Sequence, residues 1–132
     1  MDSHLDNEYR QQRLANLGEL EARGRQPFGQ AFARDGRIAE VRAAFADGKT
    51  LRAAGRLVAK RDMGKSVFAA LQDASGKFQI YLKKDALPEA DFDAFRFVDL
   101  GDHVGVEGEC FTTRTGEPTL KVASWTLLGK SL

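Results

Sequence analysis

The stretch Gly55–Lys84, GRLVAKRDMGKSVFAALQDASGKFQIYLKK, decides the fold. It reads as a strand, a basic loop over Lys60–Lys65, and a tight hairpin. Two apolar runs, Val67–Gln72 and Lys77–Leu82, flank the turn signal Asp73-Ala74-Ser75-Gly76. A turn there pairs Gln72 with Lys77 and, moving outward, Leu71 with Phe78, Ala69 with Ile80 and Val67 with Leu82. Successive strand side chains point to opposite faces, so these apolar partners share one face. The other face carries Phe68, Ala70, Gln79, Tyr81 and Lys83, with Gln72 and Lys77 next to the turn. Aromatic rings, amides and cations together suit a flat, anionic ligand. A nucleobase stacked on an aromatic ring gains roughly 1–3 kcal/mol, and an amide diagonal to that ring can read the base edge. Phe68 opposite Tyr81 would equally serve as an ordinary cross-strand stabiliser, and a slip of one residue would exchange the faces.

The chain upstream has helical patterning. Ser3, with Asp6 behind it, is expected to cap a first helix whose loose stripe is Tyr9, Leu14, Leu17 and Leu20, and Gly24 is its expected stop. Packing on the domain and extension of an RNA-contacting surface are both open to this helix. Arg25–Arg34 reads as a connector anchored by Phe28 and Phe32, followed by a short helix over Ile38–Ala46. From Thr50 the period becomes two. Leu51–Lys60 is expected as a first strand with Gly55 at a bend or bulge, Glu89–Phe97 as a helix, and Asp102–Thr113 and Thr119–Leu128 as the last strands. This order predicts a mainly β fold with α elements: a five-stranded Greek-key barrel of the OB type, its helix between the third and fourth strands. The division expected is a helical extension over 1–49 and the barrel over 50–132. In this fold the second and third strands and two neighbouring loops carry ligands. Phe68 and Gln79 therefore fall on the customary binding face.

The net charge of +1 gives no global basic signature, but Leu51–Lys84 holds Arg52, Arg56, Lys60, Arg61, Lys65, Lys77, Lys83 and Lys84 against only Asp62 and Asp73. The bases form either a phosphate-contacting patch or a solvated face. The single cysteine, Cys110, excludes an internal disulfide, and His4 and His103 lack zinc spacing, so no metal site is expected. No stretch is apolar enough to span a membrane, and the N-terminus has no signal core. A cytoplasmic location is expected.

The words AGRLVAKRDMGKSVFAALQD (54–73), GKFQIYLKKD (76–85), DLGDHVGVEGECFTTRTGEPTLKV (99–122) and LLGKSL (127–132) closely resemble the N-terminal domain of class II lysyl-tRNA synthetases. The leader RLANLGELEARGRQPFGQAF (13–32) does so too, so the resemblance covers essentially the whole chain. Aspartyl and asparaginyl relatives share the Phe/Gln pair; the RDMGK loop and TRTGE turn point to the lysine enzyme.

The resemblance implies binding of the tRNA-Lys anticodon stem-loop. Phe68 would stack on the middle uridine, Gln79 would hydrogen-bond its edge, Arg61 would contact the same region, and Glu117 would help read the third position. Lys60, Lys65, Lys83 and Lys84 would hold phosphates. The family turn reads KTGEL. Here Arg114 keeps the charge, while Pro118 removes a backbone donor beside Glu117.

ATP and Mg would belong to a catalytic domain this sequence does not contain, so the chain alone is not expected to aminoacylate. The full-length parent would be a homodimer and the isolated domain a monomer. A general single-strand binder and a protein-interaction module are the competing functions.

Overall fold

In a computed structural model, which describes residues 3–26 and 31–132 and their side chains from residue 6 onward, the hairpin has the register that its turn dictates. Asp73 pairs with Gly76, Gln72 with Lys77, Phe68 with Tyr81, and so on out to Ser66 with Lys83. In chain order the elements are α1 (Ser3–Ala22), α2 (Ile38–Ala43), β1 (Thr50–Asp62), β2 (Ser66–Asp73), β3 (Gly76–Lys83), α3 (Glu89–Phe95), β4 (His103–Thr112) and β5 (Pro118–Gly129). The strands close a barrel in the order β1-β2-β3-β5-β4, with a short parallel β3–β5 pairing and antiparallel neighbours elsewhere. This is the expected OB architecture, with α3 between the third and fourth strands.

Alternation puts Leu71, Phe78, Ile80 and Leu82 inside with no exposed surface. Burying each large apolar side chain contributes about 1.5–3 kcal/mol. Leu57, Val104, Val106, Leu120 and Leu127 complete the interior from the other strands.

The turn residue Asp73 fastens the hairpin to α2. Its carboxylate accepts the Ser75 backbone N–H (2.8 Å), the Ser75 hydroxyl (2.6 Å) and the Ile38 N–H (2.9 Å), while Ser75 Oγ accepts the Ala39 N–H (2.9 Å). The first amides of α2, which no helical carbonyl can satisfy, are thus paired. Burial pushes the Asp73 carboxyl up, but the hydrogen bonds from Ser75, Ile38 and Gly76 outweigh it and hold the group down to about 2 from an ordinary 3.8. The folded value lies below the unfolded one, so the stabilisation is complete above pH 4–5 and is lost as pH falls through about 2. An Asp73→Ala variant should be about 1–2 kcal/mol less stable than the parent at pH 7. In urea melts from pH 6 to pH 2, the gap between the two proteins should close.

Several bounds differ from expectation. The second and third helices stop at Ala43 and Phe95 rather than at the expected Ala46 and Phe97. β1 runs to Asp62, so the basic segment is mostly strand and the connection is only Met63-Gly64-Lys65, pinned by an Asp62 carboxylate that accepts the Gly64 N–H at 2.8 Å. The β1 bulge falls between Leu57 and Ala59 rather than at Gly55. Gly55 instead lets β2 pass close, for a Cβ there would stand 2.9 Å from the Gln72 carbonyl oxygen.

α1 ends in a Schellman motif. Gly24 has φ 76°, its N–H reaches the Glu21 carbonyl, and the Arg25 N–H reaches that of Leu20. Leu20 is fully buried, whereas Tyr9 and Leu14 stay exposed, so only the C-terminal half of the expected stripe packs on the barrel. Phe32 is the anchor expected of it. It lies flat on β4 where a Cβ at Gly105 would stand 2.7 Å from its ring, with the Arg52 guanidinium 4.5 Å above. Phe28 and the capping side chain of Ser3 lie outside the described residues.

Between α3 and β4 is a buried ionic knot. The Lys130 ammonium contacts Asp99 and, at 2.7 Å, Asp102, with the Lys130 and Asp102 side chains wholly inaccessible. Asp102 also accepts the backbone N–H of Asp99 and of Ser131, both at 2.8 Å. Asn16 of α1 donates to Asp99 at 2.7 Å, so the knot joins α1 to the end of β5.

Candidate nucleic-acid interface

Beyond the bulge, β1 resumes in register with β2, and side chains line up in rows across the outer face. One row is Arg61, Phe68 and Tyr81; the next is Ala59, Ala70, Gln79 and, across the parallel pairing, Thr119. The small alanines leave a floor between a ring and an amide. Arg61, Phe68, Ala70, Gln79, Thr113 and Arg114 line a groove of about 610 Å³ here. Phe68 stacks on Tyr81 with ring centroids 4.6 Å apart, and Tyr81 meets Phe111 at 5.8 Å, so the aromatic surface continues past the groove.

The amide of Gln79 is held in place. Its Nε2 donates to Thr119 Oγ1 at 3.1 Å, and the Thr119 hydroxyl donates to the Glu117 carbonyl at 3.1 Å. Pro118 leaves the turn closed: the Thr113 N–H reaches the Glu117 carbonyl at 3.1 Å, the Glu117 N–H reaches Thr113 Oγ1 at 3.1 Å, and the Gly116 N–H reaches the Thr113 carbonyl at 2.9 Å.

Of the residues expected at the site, Phe68, Gln79, Arg61, Arg114 and Lys60 line this groove. The Lys60 ammonium, however, is engaged elsewhere. The bulge reverses strand parity, so Lys60 pairs with the buried Ala69. Its ammonium donates to the carbonyls of Phe95, Arg96 and Val98 at 3.0, 3.0 and 2.9 Å. Those carbonyls lie at and just past the C-terminal end of α3, where the Phe95 carbonyl also accepts the Val98 N–H at 3.1 Å, so Lys60 caps the helix end and its charge is not free for phosphate. Burial pushes the Lys60 pKa below the ordinary lysine value, with Asp99 and Asp62 offsetting part of the effect.

Glu117 sits in the turn but is not part of the groove wall; its carboxylate faces the Arg42 guanidinium of α2 at 3.8 Å. Lys65 and Lys83 gather with Lys84 in a separate hollow of about 440 Å³ at the open end of the hairpin, beside Asp85 and Glu89. Sequence reasoning missed Thr119 and Arg42. A fully buried threonine directly across from Gln79 becomes visible only once the parallel pairing is known. No described helix is long and apolar enough to cross a membrane, and no cluster of metal-ligating side chains occurs among the described residues.

Residues 51–128 match the tRNA anti-codon family, described as an OB-fold nucleic acid binding domain. The chain is 39% identical over 128 residues to a lysine–tRNA ligase of Syntrophomonas wolfei, covering 96% of this chain and 26% of that protein. It is 42% identical over 143 residues to a lysine–tRNA ligase of Aeromonas hydrophila, covering 100% of this chain and 28% of the relative. The chain thus spans about a quarter of the length of the curated relatives it matches.

Proposed function

This chain belongs to the tRNA anti-codon family of OB-fold nucleic acid binding domains, and from that membership we propose that it grips the anticodon loop of a lysine tRNA as the recognition module of a lysine–tRNA ligase. The observation that carries the reading is the placing of Phe68 and Gln79 on one alanine-floored groove, with Arg61 and Arg114 on its rim. Loop bases can be splayed out of their stack, so each can be sandwiched against an aromatic ring and read along its Watson–Crick edge. Phe68 supplies the ring for the middle uridine and Gln79 the edge contact. Arg61 and Arg114 neutralise flanking phosphates, and Lys65, Lys83 and Lys84 extend that track. The lysine- and ATP-handling steps fall to the three quarters of the relatives' length outside this chain.

Titration of the domain with two short anticodon stem-loops, UUU and UCU, at one fixed salt concentration tests this. The expected result is at least about tenfold tighter binding of UUU, roughly 1.4 kcal/mol. Equal binding of both would leave a strand holder that works by charge and stacking. Binding of neither would leave a protein-interaction module.

A further inference from the structure

We infer that Thr119 is the positioning residue that makes Gln79 select uridine over cytidine, by fixing which end of the Gln79 amide faces the base. The inference rests on the anticodon reading above and deepens it. A glutamine amide presents an acceptor and a donor side by side, and rotation by a half-turn exchanges them. Uracil offers N3–H as donor beside O4 as acceptor, whereas cytosine offers N3 as acceptor beside its N4 amino group. A base held in one pose therefore fits one amide orientation when it is uracil and the opposite one when it is cytosine. A free amide would rotate and accept both.

The amide of Gln79 is not free. The Thr119 hydroxyl gives its only proton to the Glu117 carbonyl at 3.1 Å, so its oxygen is left to accept, and it accepts from Gln79 Nε2 at 3.1 Å. Nε2 is thereby tied to β5, and Oε1 with the second N–H is left for the base. In that arrangement Oε1 accepts uracil N3–H while the second N–H serves O4. Turning the amide for cytosine would bring Oε1 against Thr119 and force the hydroxyl off the Glu117 carbonyl. Thr119 has no exposed surface, so water cannot replace the lost partner. The same bond joins the base reader on β3 to the β4–β5 turn.

Thr119→Val keeps the shape and removes the hydroxyl; Thr119→Ser keeps the hydroxyl. Both variants are titrated with the UUU and UCU stem-loops beside the parent, after urea melts establish that they fold. The expected result is a UUU/UCU preference reduced about fivefold in Thr119→Val, chiefly through tighter binding of UCU, and restored in Thr119→Ser. A Thr119→Val domain with the parent's full preference overturns the inference and leaves the anticodon reading standing. Weaker binding of both loops by the same factor also overturns it, since a merely structural threonine would behave so. A parent domain with no preference would remove the uridine reading itself, and this inference with it.

Discussion

Lys130→Met is expected to destabilise the domain by about 3–5 kcal/mol, the cost of leaving a buried charge without its partner. The methionine fills much of the same space, so the loss is electrostatic. Asp102, without exposed surface, would keep two backbone N–H donors but lose the ammonium paired with it, and Asp99 would lose the same partner. For a chain of this size the change should lower Tm by roughly 10–20 °C. Adding Asp102→Asn to Lys130→Met should recover part of the loss, because the amide oxygen can still accept one of the two backbone N–H groups and no buried charge at that position remains unpaired. Urea unfolding of the two single variants, the double variant and the parent measures the coupling directly, with unchanged m-values showing that two-state unfolding is preserved. A Lys130→Met loss below about 1 kcal/mol would mean that the knot behaves as a solvated surface pair.

The knot also marks what local pattern reading can reach. The hairpin was legible because a period of two and an Asp73–Gly76 turn leave one register that buries Leu71, Phe78, Ile80 and Leu82 together. The barrel order followed from strand and helix succession, and Phe32 from being one of the two aromatic residues of the Arg25–Arg34 connector. Lys130 and Asp102, by contrast, stand 28 positions apart and each reads as an ordinary surface charge. Only the closed barrel brings them into the same interior. The engagement of Lys60 was illegible for a different reason. Leu57-Val58-Ala59 is apolar throughout, so either strand parity fits it, and the bulge that decides the matter has no local signal. Arg61 gained the outer face by the same reversal that took Lys60 from it. Glu117 was placed in the right turn, but its ion pair with Arg42 depends on where α2 docks, which neither segment encodes alone.

Phe68→Ala should weaken binding of the UUU stem-loop by about 2 kcal/mol, near thirtyfold, with the slope of log affinity against log salt unchanged. The two observables separate because the ring contributes stacking and no charge. Arg61→Ala and Arg114→Ala should do the reverse: a smaller loss at low salt, and a slope shallower by about 0.7 for each phosphate contact removed. The Phe68–Tyr81 stack, at 4.6 Å between centroids, makes a purely structural ring the rival explanation. Such a pair is worth about 0.5–1.5 kcal/mol to folding, so Phe68→Ala alone would mix lost stability with lost affinity. Phe68→Leu resolves this, since leucine keeps apolar surface against Tyr81 but offers no π-face to a base. The leucine variant should melt close to the parent and still bind at least tenfold more weakly. If it instead binds UUU as the parent does, the ring is a hairpin partner only, and the groove holds RNA through Arg61, Arg114 and the Gln79 amide.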